Sequence, residues 1–335
     1  MKAFKILIFL FFTCFSAIAQ DIHFSQFYLS PLTVNPAKAG VFNGDYRISG
    51  IHRNQWNSVT IPYVTTGLGY DFPWKLKSME KHRFTTALHL LADKAGDPGW
   101  AQFQAGITLG FLMNVGGDST NFLSFAFDNV VTQRSFDYSK LTFDQQYTGD
   151  SFEPAAPTGE SFADDKIYYF DFSAGVNWHS IIDERTNWSA GIGFFHINKP
   201  SLTFYNEDNF LNNRISFSGN ARFPAGDKID LLPAFILQFQ TPFTEIIGGT
   251  SARWNIENMK NINGFYLGGW IRPGDAIILS TGIDWRSTHL GFSYDINTSE
   301  LKTASRGRGA FEIALVHIIR KVKPVNLRQV SCPIY

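Results

Sequence analysis

The sequence has 335 residues and equal numbers of basic and acidic side chains, 29 of each, so its formal net charge is zero. This balance excludes a nucleic-acid-binding protein that works by neutralising phosphates, and two cysteines are too few for a disulfide framework or a four-thiolate zinc site. Hydrophobic residues make up 44% of the chain, which argues against disorder, and charged residues make up only 17%, against about 25% in an ordinary soluble domain.

The start of the chain predicts a secretory signal peptide. Two lysines precede an apolar stretch, 6–15, and an A-x-A cleavage pattern follows at 17–19. The apolar stretch is too short for a transmembrane helix, which needs about 20 residues, and the residues before Cys14 fit a lipoprotein signal poorly. Cleavage would remove residues 1–19 and leave a mature chain with a net charge of about −2, in which Cys332 has no intramolecular disulfide partner.

Alternation of apolar and polar residues predicts β-strands along most of the mature chain. In 167–178 the even-numbered residues are apolar or aromatic, and segments 102–111, 187–194 and 214–223 follow the same period of two. These runs are longer than ordinary strands, which have about five or six residues. They approach the length of about 9–11 residues that a strand needs to cross a membrane. A soluble sandwich would show the same alternation, but the strand length and the aromatic residues near strand ends favour a membrane barrel with an apolar outside and a polar lumen.

The pattern predicts an all-β protein, a transmembrane outer-membrane β-barrel of about 14 antiparallel strands, with roughly 12–16 as the range. We assign the barrel to 45–319, between a periplasmic or lumen segment at 20–44 and a basic C-terminal tail at 320–335. The predicted strands are 45–53, 62–71, 83–93, 101–112, 121–128, 167–178, 186–195, 212–223, 230–240, 244–254, 262–271, 276–286, 289–296 and 311–319.

The longest predicted loops, 129–166, 196–211 and 297–310, all follow odd-numbered strands. With a periplasmic N-terminus they would face the outside of the cell, because bacterial barrels have short periplasmic turns and longer extracellular loops. The loop 129–166 is turn-rich and is interpreted as a disordered surface loop, a partner-binding loop or a plug that enters the lumen. Polar residues on the predicted inner face are candidates for lumen or partner contacts: Asp171, Asn177, Arg214, Asn220 and Arg222.

The sequence contains no motif that predicts an enzyme, a cofactor site or a metal site. The eight histidines are dispersed, without the spacing of metal ligands. The acidic run 206–209 lacks the spaced ligands and closing Glu of a calcium loop. We therefore expect no catalytic residues, no cofactor and no bound metal.

Motifs along the mature chain resemble those of a known family. The chain opens with Asp21-Ile22-His23-Phe24-Ser25-Gln26-Phe27-Tyr28 and continues with Asn35-Pro36-Ala37-Lys38-Ala39-Gly40. These segments resemble the opening of the PorP/SprF family, membrane proteins of the type IX secretion and gliding-motility system. Weaker matches follow at 54–56, 93–96, 309–313 and at Cys332-Pro333. The residues that carry the resemblance most clearly are Phe24, Ser25, Gln26, Asn35, Pro36, Gly40, Gln55 and Trp56.

The resemblance implies a barrel with the architecture of fatty-acid transporters such as FadL, surrounded by outer-membrane lipid. It also implies a partner: a secreted, adhesin-like protein with a type B C-terminal sorting domain, which the barrel helps to secrete or holds at the surface. Periplasmic ring components of the secretion system are a further implied partner. The alternative is an outer-membrane channel for hydrophobic small molecules.

Overall fold

The computed structural model describes residues 21–56, 61–74, 82–96, 99–116, 120–159, 165–203, 209–257, 259–300 and 302–321. The predicted signal peptide, most of the acidic run 206–209 and residues 322–335 of the predicted tail, Cys332 included, lie outside the described residues.

The described residues form a closed barrel of fourteen antiparallel strands, which confirms the predicted fold class. Each strand pairs with its neighbours in sequence, and the first and last strands close the ring, with Tyr46 opposite Ile319. No helix in the described ranges is long and apolar enough to span a membrane. The strands are β1 Tyr46–Gln55, β2 Tyr63–Trp74, β3 Arg83–Ala95, β4 Trp100–Val115, β5 Asn121–Ser135, β6 Lys166–Ile181, β7 Asn187–Phe195, β8 Arg214–Pro224, β9 Ile229–Gln240, β10 Phe243–Asn255, β11 Ile262–Arg272, β12 Ala276–Trp285, β13 Thr288–Asn297 and β14 Arg308–Ile319.

The alternation of the sequence becomes an apolar outside and a polar inside. On β5 and β6, Phe127, Tyr168 and Phe170 each expose about two thirds of their surface on the outside, whereas Asp128 and Ser173 are buried against the lumen. Such a large exposed apolar surface is unfavourable in water and suits a bilayer. The outer face of the barrel is therefore its lipid-facing surface.

One predicted strand was much too short. The alternation in β5 was predicted to end at residue 128, but the strand continues to Ser135. At Asp128-Asn129 two polar residues stand side by side, and beyond them Val130 points inward, where a polar residue was expected. The second half of β5 therefore lacks the polarity pattern, although its pairing with β4 and β6 continues unbroken.

The three longest connections leave the same end of the barrel, as predicted from their odd-numbered positions. They run over 136–165, 196–213 and 298–307, and we call this end the long-loop end. The opposite end, the short-loop end, carries the connections 75–82, 116–120, 182–186, 225–228, 256–261 and 286–287. The two ends thus differ as the ends of an outer-membrane barrel do.

The N-terminal segment 21–44 lies inside the lumen, and we call it the plug. It is built from short helical turns at Phe27–Leu29, Pro31–Val34 and Pro36–Lys38. At the long-loop end the amide of Asp21 donates to Gln240 (3.1 Å), and at the short-loop end the amide of Asp45 donates to the carbonyl of Ile319 (2.9 Å). The segment therefore threads the whole length of the lumen before β1 begins.

Apolar side chains of the plug form small cores with the inner wall. Phe27 and Val34 pack with one group of wall residues, which includes Ile236, Ile247 and Trp270. Phe24 contacts a second group with Ile51, Leu91 and Ala314, and Leu32 and Ala39 pack with Ala87. These contacts make the plug part of the folded barrel.

Candidate functional site: the plugged lumen and the long-loop mouth

A buried network of charges fixes the beginning of the plug. The Glu312 carboxylate accepts the backbone amides of Ser25 (2.7 Å) and Gln26 (2.8 Å) and pairs with Arg53 (2.5 Å). The Ser25 hydroxyl donates to Asp295 (2.7 Å) and accepts from Arg53 (2.8 Å). Because Ser25, Arg53, Asp295 and Glu312 are all buried, these are charge-assisted hydrogen bonds in a low-dielectric interior.

Arg272 extends this network across the lumen. Its guanidinium donates to Ser25 (2.9 Å) and to Asp295 (3.3 Å) and lies 3.4 Å from the Glu245 carboxylate. The strands β1, β10, β11, β13 and β14 thereby all hold one turn of the plug. Each carboxylate oxygen of Glu312 accepts a hydrogen bond from one of two adjacent amides of the plug. The network therefore fixes the backbone of the plug as well as its side chains.

The Asn-Pro turn fits against a wall of glycines. The Asn35 side chain accepts the amide of Ala37 (2.9 Å), which caps the turn, and donates to the carbonyl of Val176 on β6 (3.0 Å). A Cβ on Gly191 would lie 2.6 Å from Asn35, and one on Gly193 would lie 3.0 Å from the carbonyl of Val34. Any larger residue at these positions would collide with the plug, so glycine permits the close approach.

Gly40 closes the plug at the short-loop end. Its φ of 70° is a left-handed conformation that favours glycine, and its amide donates to Asp71 (2.7 Å). The same carboxylate accepts two hydrogen bonds from Arg47 (2.7 and 2.8 Å). Arg47 in turn donates to the carbonyl of Lys38 (3.0 Å), so one buried ion pair holds both sides of this turn.

A histidine anchors the end of the plug that lies at the long-loop end. The two ring nitrogens of His196 lie 2.5 Å from Asp21 and 2.6 Å from Asp171. Burial alone would lower the pKa of His196, but the carboxylates of Asp21 and Asp171 raise it to about 9. A protonated ring donates from both nitrogens, so this contact is retained at neutral pH. Arg214 lies 3.2 Å from the Asp21 carboxylate and stacks on the ring of Phe195 at 4.1 Å.

The five polar residues expected to contact the lumen or a partner occupy separate places along the inner face. Arg214 binds Asp21 directly, and Asp171 binds His196, whose other ring nitrogen binds Asp21. Asn177 is buried beside the Asn35 turn and accepts from Ser189 (2.9 Å). Asn220 and Arg222 lie in the short-loop half and line a cavity beneath the plug. Arg222 pairs there with Asp230 (2.5 Å).

Gln55 and Trp56 lie where β1 reaches the long-loop end. Gln55 accepts two hydrogen bonds from Arg53 (both 3.2 Å) and so orients the guanidinium that holds Ser25. Trp56 has a φ of 58°, donates its amide to the carbonyl of Gly309 (3.1 Å) and packs on the ring of Tyr63 at 5.0 Å. All eight residues that carry the family resemblance therefore lie in the plug or at the end of β1.

The longest loop at this end is folded around a buried glutamine. The Gln146 side chain accepts the amide of Phe143 (3.0 Å) and donates to the carbonyls of Pro154 (3.2 Å) and Ala156 (3.3 Å). A bridge between Tyr147 and Phe152 closes the tip of the loop. The part of the loop that is described, 136–159, thus has a defined shape, with two short 3-10 turns at Tyr138–Lys140 and Asp144–Gln146.

The surface of this loop is acidic and aromatic. Tyr147 is 58% exposed and Phe152 is 43% exposed. In 136–165 every charged residue except Lys140 is acidic: Asp137, Asp144, Asp150, Glu153, Glu160, Asp164 and Asp165. An exposed aromatic surface with one sign of charge is typical of a protein-binding surface. We call the exposed loops of this end, 136–159 and 196–203, the mouth.

The residues that hold the plug most firmly were not predicted from the sequence. Arg53, Arg272, Asp295 and Glu312 are all buried in the lumen. Each occupies an inward position of its strand. The signal that could have identified these residues was therefore a charged side chain on the polar face of an alternating strand. What the sequence lacked was any sign of the partner, since Ser25 and Glu312 are 287 positions apart.

Comparisons with known proteins identify the family and the fold. Residues 16–316 match the family described as "Type IX secretion system membrane protein PorP/SprF". The sequence has no match among curated proteins. Among solved structures, the chain is similar to the CymD monoaromatic hydrocarbon channel, with a TM-score of 0.50 and 10% identity over 88% of this chain and 93% of that one.

Two further solved structures are similar. The toluene transporter TodX of Pseudomonas putida has a TM-score of 0.47 and 10% identity, over 86% of this chain and 92% of its own. A FadL homologue of Pseudomonas aeruginosa has a TM-score of 0.46 and 7% identity, over 86% and 94%. At such identities the likeness concerns the barrel fold alone.

The closed barrel, its apolar outer surface and the family match together place the protein in the outer membrane, as a barrel of the type IX secretion system rather than an enzyme. The match covers most of the chain, from ahead of the plug to β14. The chain belongs to the PorP/SprF family of type IX secretion system membrane proteins.

Proposed function

We propose that the mouth is the docking surface for a secreted protein of the type IX system, an adhesin-like substrate with a type B C-terminal sorting domain. The observation that supports this most is the described part of the longest loop, 136–159, a folded and exposed acidic-aromatic surface above a closed lumen. We infer that the mouth faces the outside of the cell, because outer-membrane barrels carry their longer loops there.

The plug favours surface anchoring over conduction of the substrate through the barrel. A lumen occupied along its whole length leaves no room for a folded domain, so the partner would bind on the mouth. The candidate residues would then contribute by holding Asp21 below that surface: Arg214 binds it directly, and Asp171 acts through His196. In this arrangement the barrel retains the adhesin at the cell surface after its export.

The charge of the mouth indicates the chemistry of the partner's docking face. Because the loop 136–165 is almost uniformly acidic, a basic or polar face would be attracted to it and an acidic one repelled. Tyr147 and Phe152 would supply the apolar contacts at the centre of the interface. The short-loop end would remain accessible from the periplasm, where ring components of the secretion system are the proposed partners.

Deletion of residues 145–160 tests the docking surface. The deletion removes Gln146, which holds the loop together, and both exposed aromatic side chains. We expect display of the cognate adhesin on the cell surface to fall to background. Display is measured by antibody labelling of intact cells, and a shift in gel migration on boiling reports that the barrel is folded. Unchanged display by a folded deletion variant would contradict the assignment of this loop.

A matched pair of charge reversals separates docking from a general charge effect. Asp150→Lys with Glu153→Lys changes two exposed residues of the mouth, and Asp227→Lys with Glu257→Lys makes the same change at the short-loop end. The first pair should lower adhesin display several-fold, and the second should leave it unchanged. Equal loss in both would show that the location of the charge is irrelevant.

The second candidate function is an outer-membrane channel for hydrophobic small molecules. Similarly folded proteins include a hydrocarbon channel and a toluene transporter, and an amphipathic cavity lies beneath the plug. Uptake of a hydrophobic solute into liposomes that contain the purified barrel would favour this function. Co-purification of a protein with a sorting domain would favour docking.

A further inference from the structure

A cavity of about 380 Å³ lies between the plug and the short-loop end of the barrel. This volume falls in the range of about 300–1,000 Å³ that is typical of small-molecule sites. The apolar part of its lining includes Phe27, Tyr28 and Trp270, with the rings of Tyr28 and Trp270 stacked at 4.8 Å. The cavity therefore offers a flat aromatic surface to the apolar part of a ligand.

Three polar groups that line this cavity have no partner within the described structure. Neither the oxygen nor the nitrogen of the buried Gln26 side chain has a hydrogen-bond partner there, and the same is true of Nδ1 of His179. Within the described residues, the Lys38 ammonium takes part in no ion pair and no side-chain hydrogen bond. Buried polar atoms are normally satisfied, so those of Gln26 and His179 indicate a site for a polar ligand group, beside the half-buried Lys38 ammonium.

The other charged groups of the lining already have partners of opposite charge. Arg47 pairs with Asp71 (2.7 Å), and Arg222 shares the Asp230 carboxylate with Arg185 (both 2.5 Å). His289 lies 2.8 Å from Asp284, which also accepts from Tyr266 (2.7 Å). Lys38 is therefore the cation of this lining that has no carboxylate partner among the described residues.

We propose that this cavity is a binding site for an amphipathic carboxylate, with the carboxylate on Lys38 and the apolar body against Tyr28 and Trp270. One unpaired cation matches one anionic head group, and the aromatic lining matches a hydrocarbon body. An acidic peptide fits less well, since its backbone would bring many more polar groups than the lining can satisfy. The proposed binding of a carboxylate in this cavity does not depend on whether the mouth docks a secreted protein.

Binding of decanoate to the purified full-length barrel tests the site. Titration calorimetry below the micelle-forming concentration of decanoate should give saturable binding of one molecule per barrel. Lys38→Met keeps the length of the side chain and removes its charge, and should weaken binding about tenfold or more, as expected for a lost charge-assisted hydrogen bond. Lys260→Met removes the same charge from an exposed position at the short-loop end and should leave binding unchanged.

Two other probes separate the possible ligands. Decanol has the same chain without the charge and should bind the unaltered barrel at least about tenfold more weakly than decanoate. If decanol binds as tightly as decanoate and Lys38→Met has no effect, the proposal is wrong. It is also wrong if decanoate does not bind while a hexaglutamate peptide binds in a manner that depends on Lys38, since the ligand would then be an acidic peptide. The gel shift on boiling confirms that each variant is folded.

Discussion

Deletion of residues 24–40 is expected to convert a closed barrel into an open channel. The plug occupies the lumen from Asp21 to Asp45 and packs against the wall at both ends. Barrels of about 8 strands are filled by their own side chains, whereas those with 16–18 leave an aqueous channel, and this barrel is close to the larger size. Without the plug, the polar inner wall would be hydrated, and ions would pass.

Two measurements detect the opening. In planar bilayers the full-length protein should give no current steps, and the deletion variant should give discrete ones. In a Cys332→Ser background, Ser124→Cys places a thiol where the plug covers it, because Ser124 now donates to the carbonyl of Ala37 (2.6 Å). A membrane-impermeant thiol reagent should label this position only after deletion of the plug.

The control for labelling is Ser151→Cys in the exposed loop, which should react in both backgrounds. The account of the plug is wrong if Ser124→Cys reacts equally in the full-length barrel, or if the full-length barrel conducts as well as the deletion variant.

Replacement of Glu312 by alanine should have the largest effect of any single substitution on the plug. The side chain is fully buried, pairs with Arg53 and accepts two backbone amides of the plug. Removal of one partner from a buried ion pair typically costs about 3–5 kcal/mol, because the remaining charge is left without compensation. We expect a loss of this size in the free energy of unfolding, together with release of the plug from the wall.

Urea unfolding of the detergent-solubilised barrel measures the first effect, and labelling of Ser124→Cys measures the second. Glu257→Ala removes an exposed glutamate at the short-loop end and should change the stability by no more than about 0.5 kcal/mol. Glu312→Gln keeps the shape of the side chain and should lose less than the alanine variant. If Glu312→Ala is as stable as Glu257→Ala and its plug stays protected, the network does not hold the plug.

The barrel could be predicted because the membrane imposes a pattern on each strand separately. Apolar residues must alternate with polar or small ones wherever a strand faces lipid on one side, and this signal is local. The end of β5 escaped prediction for the same reason, since Val130 faces the lumen and Asn129 the outside. There the strand is held by its two neighbours, which local alternation does not reveal.

The location of the plug could not be predicted from the same kind of signal. Its short turns have no regular period, so the sequence left the segment either in the periplasm or in the lumen. What fixes it is a set of contacts between distant parts of the chain, such as Asn35 with Val176 and Ser25 with Glu312. The inner-face position of Asp171 and Arg214 followed from the alternation, but their partners, His196 and Asp21 respectively, became apparent only in the folded barrel.

The family motifs acquire a physical meaning from the plug. Ser25 and Gln26 present their amides to Glu312, Asn35 caps a turn against β6, and Gly40 adopts a conformation that favours glycine. These residues close the lumen, whereas the acidic-aromatic loop at the mouth is free to meet a partner. Closure and docking are thus assigned to different parts of the chain and can be disrupted separately.

The most direct test of the proposed function is affinity purification of the full-length protein from native outer membranes, with identification of what accompanies it. We predict a secreted protein with a C-terminal sorting domain in near-equal amount, lost from the deletion variant that lacks residues 145–160. Recovery of bound lipid or hydrophobic small molecules without any such protein, from a folded barrel, would contradict the docking function and favour a channel.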